Sequence, residues 1–400
     1  MTQNRIKTPE TKNNNQPLPA PATIRPLIQG ETRKALAREI GSPTEWKRLN
    51  AFDITRKTAS APGARIIFGE SLAGDERFIA GVSQYVAALN VYAFALRYAS
   101  VGPFKNIILY LLHWGHRRSF PAILTPLSRV IAERKQAQSG QNLSEDEKPF
   151  DCIQWAMDQE IPDKKKSPED IATRLVIVAT GAIDTIAGVL TKVLVELACH
   201  PECLDEVRAE IRECLAEEDG DWTVKAMGKM GKLESLLQES LRVTAGAIAS
   251  VDEDDHTVSG LRLVTNSGFR LDDQTILPNN ALLAFPSRCI LHDADIFPEP
   301  DKFDVLRFYK VKESNAKGTE AHSAQRAVRA GWLQFGYGRQ SCPGKLYAIN
   351  LMKTLVGEML LRYEIRLAGG SDGTRPAIDF DLDPMLPPNR SIYLEFKSIA

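Results

Sequence analysis

From Glu31 to about Ile171 apolar residues recur at three- and four-residue intervals, the period of helices that bury one face. Ser42-Pro43, Ala61-Pro62-Gly63, Gly102-Pro103 and Ser139-Gly140 interrupt the pattern and mark the expected breaks. Phe78 to Leu96 carries no charge and is just long enough to span a bilayer, but Ser83, Gln84 and Asn90 divide it, so it reads as a buried core helix. Pro168 to Cys199 predicts one long helix, with Ser167 as N-cap, Pro168 at the first helical position and Glu169-Asp170 in the first turn. Its middle is almost wholly apolar and should lie deep. Two further helices are expected, from Pro201 to about Glu217 and within Asp221 to Val243. Between Val251 and Ala284 short alternating runs punctuated by Gly, Asn and Pro predict strands. A glycine-rich loop then leads into a final helix, about Gly344 to Tyr363, and Ile365 to Phe396 reads as another small sheet region. The fold class is mainly α, with small β-sheet regions.

Residues 1–27 depart from this pattern. They are polar and proline-rich, too poor in apolar surface to offset their ordering entropy, and are expected to form a disordered arm ahead of a domain covering 28–400. The 50 basic and 51 acidic side chains leave a formal charge of -1, which excludes a whole-protein field attracting nucleic acid. Six cysteines at irregular spacing make no disulfide framework, and no secretory leader is read at the start, so a reducing, cytosol-facing setting is expected.

The most informative segment is Phe335-Gly336-Tyr337-Gly338-Arg339-Gln340-Ser341-Cys342-Pro343-Gly344, which runs straight into an apolar-periodic helix. Gly336 and Gly338 permit backbone conformations and close approaches that a Cβ forbids. Cys342 precedes a helix whose amino-terminal amides favour an anion, the setting in which a protein holds a thiolate. With no second cysteine or histidine at ligand spacing, it cannot complete a zinc site. On residues alone a buried free cysteine at a helix start remains an alternative.

This run resembles the haem-binding signature of the cytochrome P450 family, in which a cysteine thiolate is the axial ligand of the haem iron. The resemblance places the pattern phenylalanine on Phe335, glycines on Gly338 and Gly344, and the ligand on Cys342. Gln340 stands where the family usually has Arg or His for a haem propionate, so Arg339 would supply that charge. Glu239 and Arg242, alone an ordinary surface ion pair, resemble the family's Glu-x-x-Arg element. Arg307, in Phe303-Asp304-Val305-Leu306-Arg307-Phe308, resembles the later arginine that locks with it, with Val305 in place of a proline.

Asp184 and Thr185, in Gly181-Ala182-Ile183-Asp184-Thr185-Ile186, are costly inside an apolar helix unless satisfied or functional. A helix kink at which Asp184 finds a basic neighbour is one reading. The resemblance gives the other: an acid–threonine pair beside the distal haem face, where Thr185 would hold oxygen and Asp184 would help deliver protons. Ile186 replaces a second hydroxyl residue found in many members. Cys199, His200 and Cys203 fit a helix boundary rather than a metal site, and Asp252-Glu253-Asp254-Asp255-His256 reads as a solvated loop.

The resemblance implies a haem b monooxygenase inserting one oxygen atom from O2 into an apolar small molecule, a terpenoid, alkaloid or polyketide intermediate in the style of fungal secondary metabolism. Electrons would come from NADPH through a separate NADPH-cytochrome P450 reductase. The endoplasmic reticulum membrane, on its cytosolic face, is the implied location, with peripheral contact through Ile107 to Trp114. The family's amino-terminal anchor, hinge, first strands and Trp-x-x-x-Arg helix are not found in the sequence, which predicts weakened haem affinity. A non-catalytic haem-fold remnant or interaction protein is the alternative.

Overall fold

Helix formation starts inside the segment whose composition predicts an arm. In the computed structural model, which describes residues 21–98, 105–140, 148–158, 167–244, 249–251, 257–264, 269–271, 274–279, 281–285, 287–316, 334–336, 342–369, 376, 389 and 391–399, α1 spans Pro21–Glu39. Ile24 and Ile28 are buried in the main core, so residues 21–27 do have apolar surface to bury; the rest of the expected arm lies outside the described residues.

A short strand, β1 (Lys47–Asn50), breaks the helical run that the periodicity predicts; four residues are too few for a period to register. Asn50 caps α2 (Ala51–Ala73) by accepting the Asp53 N–H at 3.0 Å. Ala61-Pro62-Gly63, an expected break, lies within α2 with Pro62 buried. The departure from helical geometry falls instead at Gly69, at φ 76°. A Cβ on Gly69 would strike the Asp151 carboxylate, which the Arg134 guanidinium holds through two 2.7 Å hydrogen bonds. Helices α3 (Glu76–Tyr98), α4 (Lys105–Gly140) and α5 (Cys152–Asp158) follow. Phe78, Val82, Tyr85 and Val86 are buried, in keeping with a core helix.

The expected long helix is two, α6 (Pro168–Ala182) and α7 (Asp184–Cys199), meeting at Ile183. The hydrogen bonds continue across the junction, Ile183 N–H to Ala179 O at 3.0 Å and Ala187 N–H to Ile183 O at 3.1 Å, so it is a bend. Ser167 and Asp170 form the expected capping box. Pro168–Cys199 is the one stretch among the described residues long and apolar enough to cross a bilayer. Its role here is to connect two cores: α6 packs with α2, α4 and α5, whereas α7 packs with α2, α10 (Gly231–Val243) and α13 (Lys345–Arg362) in a core to which α1 and α8 (Leu204–Ala216) also contribute.

Between α8 and α10 lies the short α9 (Val224–Lys229). The strand region contains β2 (Ala249–Val251), β3 (Thr257–Leu263), β4 (Phe269–Arg270), β5 (Ile276–Leu277) and β6 (Leu282–Phe285). They form the sheet β2-β3-β6 and the pair β4-β5. Helices α11 (Ser287–Leu291) and α12 (Arg307–Ala316) precede the cysteine loop. After α13, β7 (Tyr363–Leu367) and β8 (Tyr393–Ser398) complete an antiparallel sheet in the order β1-β8-β7, with Lys47 opposite Phe396.

Helix α13 packs against α1 and α9 with no room to spare. A Cβ on Gly357 would fall within the buried Trp222 ring, whose Nε1 donates to Glu358 Oε1 at 2.8 Å. Gly357→Ala is therefore expected to cost about 3 kcal/mol through overpacking, read as a lowered urea midpoint with an unchanged slope.

Candidate active site

Helix α10 carries Glu239 and Arg242 on one face, and both side chains are 0% exposed, so the surface ion pair that spacing alone suggests is a core element. Arg242 donates from Nε to Glu239 Oε2 at 2.8 Å and from Nη2 to Oε1 at 2.9 Å. Arg307, at the start of α12, directs Nε to both carboxylate oxygens at 3.1 Å, and the Asp304 N–H adds a bond at 3.0 Å. Two guanidinium groups around one carboxylate leave a surplus positive charge, which backbone carbonyls absorb. Arg242 donates to Leu291 O at 2.8 Å, and Arg307 to Glu299 O at 3.1 Å, Lys302 O at 2.9 Å and Pro298 O. The three residues thereby tie α10, the chain after α11 and the Phe297-Pro298 loop into one body.

The cysteine loop leaves this body at Gln334. Its Nε2 donates to Leu241 O, in the last turn of α10, at 2.8 Å. Gly336 has φ 72°, the left-handed region that favours glycine. The Cys342 N–H returns to Phe335 O at 2.7 Å and closes the loop. Gly338, Arg339 and Gln340 lie outside the described residues. Cys342 itself is exposed, ahead of α13, whose N-cap is Gly344. A Cβ on Gly344 would sit 3.9 Å from Cys342 Sγ, so the thiol lies beside bare backbone at the positive end of an 18-residue helix.

The other predicted residues follow the bend at Ile183. Asp184 Oδ1 accepts from Arg56 Nε of α2 at 3.3 Å, and Arg56 Nη2 donates to Ser83 O of α3 at 3.0 Å. The structure thus contains both the kink and the basic neighbour expected for a satisfied buried acid. Thr185 is exposed and its hydroxyl donates to Gly181 O one turn back, a bond that bends helices. Ile177, Val178, Gly181 and Thr185 form one exposed stripe, with Ile177 at 65% and Val178 at 50% exposure. An apolar stripe on the most apolar helix of the chain is a surface shaped for an apolar ligand.

Tyr347 joins these two parts. It stands in the first turn of α13, five residues after Cys342. At Gly63 of α2, an added Cβ would lie 3.6 Å from the Tyr347 hydroxyl and 3.7 Å from Ile183 Cγ1. The cysteine end of α13 is therefore packed against the α6–α7 bend that bears Asp184 and Thr185. Burial pushes the Tyr347 phenol up, and its oxygen has no hydrogen-bond partner among the described residues. Tyr347→Phe is expected to raise stability by about 1 kcal/mol, read as a small gain in melting temperature.

Arg56, Gln334 and Tyr347 went unnoticed in the sequence because nothing local distinguishes them; each acts across a helix contact. Gly63 did give a signal, but its Ala-Pro-Gly context reads as a break rather than as a close approach. His200 stacks on Phe303 at 4.4 Å, with Nδ1 2.9 Å from Glu196 O, as a helix-boundary residue should. No cluster of three His, Cys, Asp or Glu side chains suited to a metal ion occurs among the described residues.

This donor set fits haem. A porphyrin brings four nitrogens of its own and asks the protein for a single soft ligand on an open surface, together with apolar walls. Cys342 offers one exposed sulfur donor, and the exposed stripe of α6 and α7 offers an apolar surface.

Comparison with known proteins agrees. The cytochrome P450 family profile matches residues 11–393. The chain is 57% identical over 376 residues to cytochrome P450 monooxygenase sttB of Aspergillus terreus, covering 94% of this chain and 69% of that protein. It is 42% identical over 376 residues to aspergilol synthase AuAP450 of Aspergillus ustus, covering 94% and 67%. Among solved structures, the retinoic-acid-bound cyanobacterial CYP120A1 superposes with a TM-score of 0.66 at 17% identity, over 94% of this chain and 74% of that one. The helix-rich architecture is thus that of a cytochrome P450. The chain belongs to the cytochrome P450 family.

Proposed function

We propose that the chain is a haem-thiolate monooxygenase acting on an apolar small molecule of fungal secondary metabolism, of terpenoid, alkaloid or polyketide type. The observation that carries this reading is the exposed Cys342 thiol, set at the amino end of α13 by its own N–H bond to Phe335 O. Cys342 is the proposed axial ligand. Phe335, Gly338 and Gly344 would shape its loop, and Arg339 would pair with a haem propionate. Glu239, Arg242 and Arg307 would hold the body from which the loop springs. When bound, haem supplies the activation of O2 and the insertion of one oxygen atom into the substrate.

Thr185 and Asp184 are the proposed distal pair. The Thr185 hydroxyl can exchange its bond to Gly181 O for one to a ligand beside the open stripe, placing a proton there. Asp184 accepts from Arg56 Nε at 3.3 Å and can exchange a proton with solvent at the bend. Ile177 and Val178 present an apolar surface on the same side, against which an apolar ligand would displace water. Thr185→Val is expected to leave the reduced, carbon-monoxide-treated spectrum unchanged while product formation falls about 100-fold. An unchanged turnover would remove Thr185 from the proton path.

Electrons are proposed to come from NADPH by way of a separate reductase, and peripheral contact of Ile107 to Trp114, within α4, with the cytosolic face of the endoplasmic reticulum membrane is part of the same reading. Similarity to two named fungal enzymes and the intact buried Glu239–Arg242–Arg307 network speak against the non-catalytic alternative. The deciding experiment is the spectrum of the reduced protein, expressed with haem supplied, with and without carbon monoxide. A red-shifted Soret band marks thiolate ligation; a neutral-ligand band or no haem uptake overturns the reading.

A further inference from the structure

The geometry points to Gln334 as a positioning residue for the Cys342 thiolate, an inference that rests on Cys342 being the axial ligand. The carbonyls at the end of α10 have no further turn to accept from, and a buried helix end requires donors from elsewhere. Two side chains provide them. Lys192 of α7, 5% exposed, donates to Thr244 O at 3.2 Å, placing a cation where the helix dipole favours one. Gln334 donates to Leu241 O at 2.8 Å.

The two donors differ in what they connect. Lys192 joins α10 to α7, two elements already packed together in the main core. Gln334 is the first described residue of the cysteine loop, next to Phe335, whose carbonyl takes the Cys342 N–H at 2.7 Å. A continuous path therefore runs from Glu239 and Arg242, fully buried on α10, through Leu241 O and the Gln334 amide to the Phe335 carbonyl and the cysteine backbone. Phe335 packs against the main core beside Gly336 at positive φ and the exposed thiol, and the Gln334 amide adds a directional hydrogen bond to that packing. Gln334 sets the height of the loop above α10, and with it the reach and direction of Cys342 Sγ. Without that bond the loop can shift to a register in which the sulfur no longer reaches its ligand position, while the rest of the fold stays intact.

The test compares Gln334→Leu with Gln334→Lys in the haem-supplied full chain. Leucine is similar in length and donates nothing; lysine donates and suits a helix carboxyl end. The readout is the ratio of thiolate-type to neutral-ligand Soret bands in the reduced, carbon-monoxide-treated protein, followed during mild urea treatment below the unfolding transition. The expected result is a fall of about fivefold in that ratio for Gln334→Leu, the effect of one lost buried hydrogen bond, with a wild-type ratio for Gln334→Lys. A lysine variant with the wild-type band supports the inference even where the leucine variant takes up no haem. Wild-type ratios in the leucine variant, or loss of the band in the lysine variant, overturn it. If the unsubstituted protein shows no thiolate-type band, the ligand assignment fails first and this inference falls with it; a normal band in the unsubstituted protein and an unchanged leucine variant refute Gln334 alone.

Discussion

Replacing Cys342 with alanine should abolish the red-shifted Soret band of the reduced, carbon-monoxide-treated protein while leaving helix content unchanged. Cys342 is exposed and buries no apolar surface, so its removal costs the fold little. Among the other described thiols, Cys199 is half-buried against the main core, and burial governs three more. Burial, and after it the charge of Asp151, pushes the Cys152 thiol up to about 12. Burial and then Glu202 do the same for Cys203, also to about 12. Cys214 is raised in the same direction by burial and by Glu210. Each stays a neutral thiol at any ordinary pH and is a poor iron ligand. Cys289 is exposed, but it lies in the five-residue helix α11. Alkylation offers an independent check. Iodoacetamide should label Cys342 and Cys289 in haem-free protein and Cys289 alone after haem loading. Equal labelling of Cys342 in both forms would contradict its assignment as the ligand.

Glu239→Gln should be the most destabilising conservative change in the chain, at about 3–5 kcal/mol. The substitution keeps the side-chain shape and removes one charge. That charge is shared by two guanidinium groups at distances of 2.8 to 3.1 Å around a fully buried carboxylate. The amide that replaces it can accept on one side only and presents donors to donors on the other. Arg242→Ala should cost a similar amount, because Arg242 also holds Leu291 O and stacks 5.4 Å from the Phe297 ring. The two effects should not add: once the carboxylate is gone, the remaining arginine has already lost its partner. Urea titration of the single and double variants measures this directly. Arg307→Lys should be milder, since it keeps a charge near Glu239 and gives up only the forked contacts to the loop carbonyls.

The elements with long periods were legible in the sequence. Helices α3, α8, α10 and α13, and the capping box of α6, lie where apolar spacing and cap residues put them, because these depend on neighbours three or four positions away. Strand β1 was missed because it is short and because its partner is at the other end of the chain. The break at Gly69 was missed, and one at Pro62 wrongly expected, since the choice is made by Asp151 and Arg134 packing under the helix. In the site, the cysteine loop and the acid–threonine pair were visible as motifs. Arg56, Gln334 and Tyr347 were not, because the chemistry of each is decided by a carbonyl, a carboxylate or a void on another helix. Glu239 and Arg242 show the same limit from the other side: spacing of three reads as a surface pair, and only the packing around α10 makes it a buried one.

The sheet that joins Lys47 to Phe396 and Asn50 to Tyr393 also governs the order in which the chain can mature. Strand β1 leaves the ribosome well before its partner β8, so until Tyr393–Ser398 is made the segment after α1 carries an unsatisfied strand edge. Leu394 and Phe396 of β8, both fully buried, belong to the main core. This sheet therefore cannot close until Tyr393–Ser398 has been made, and a nascent chain halted before Tyr393 is a substrate for chaperones.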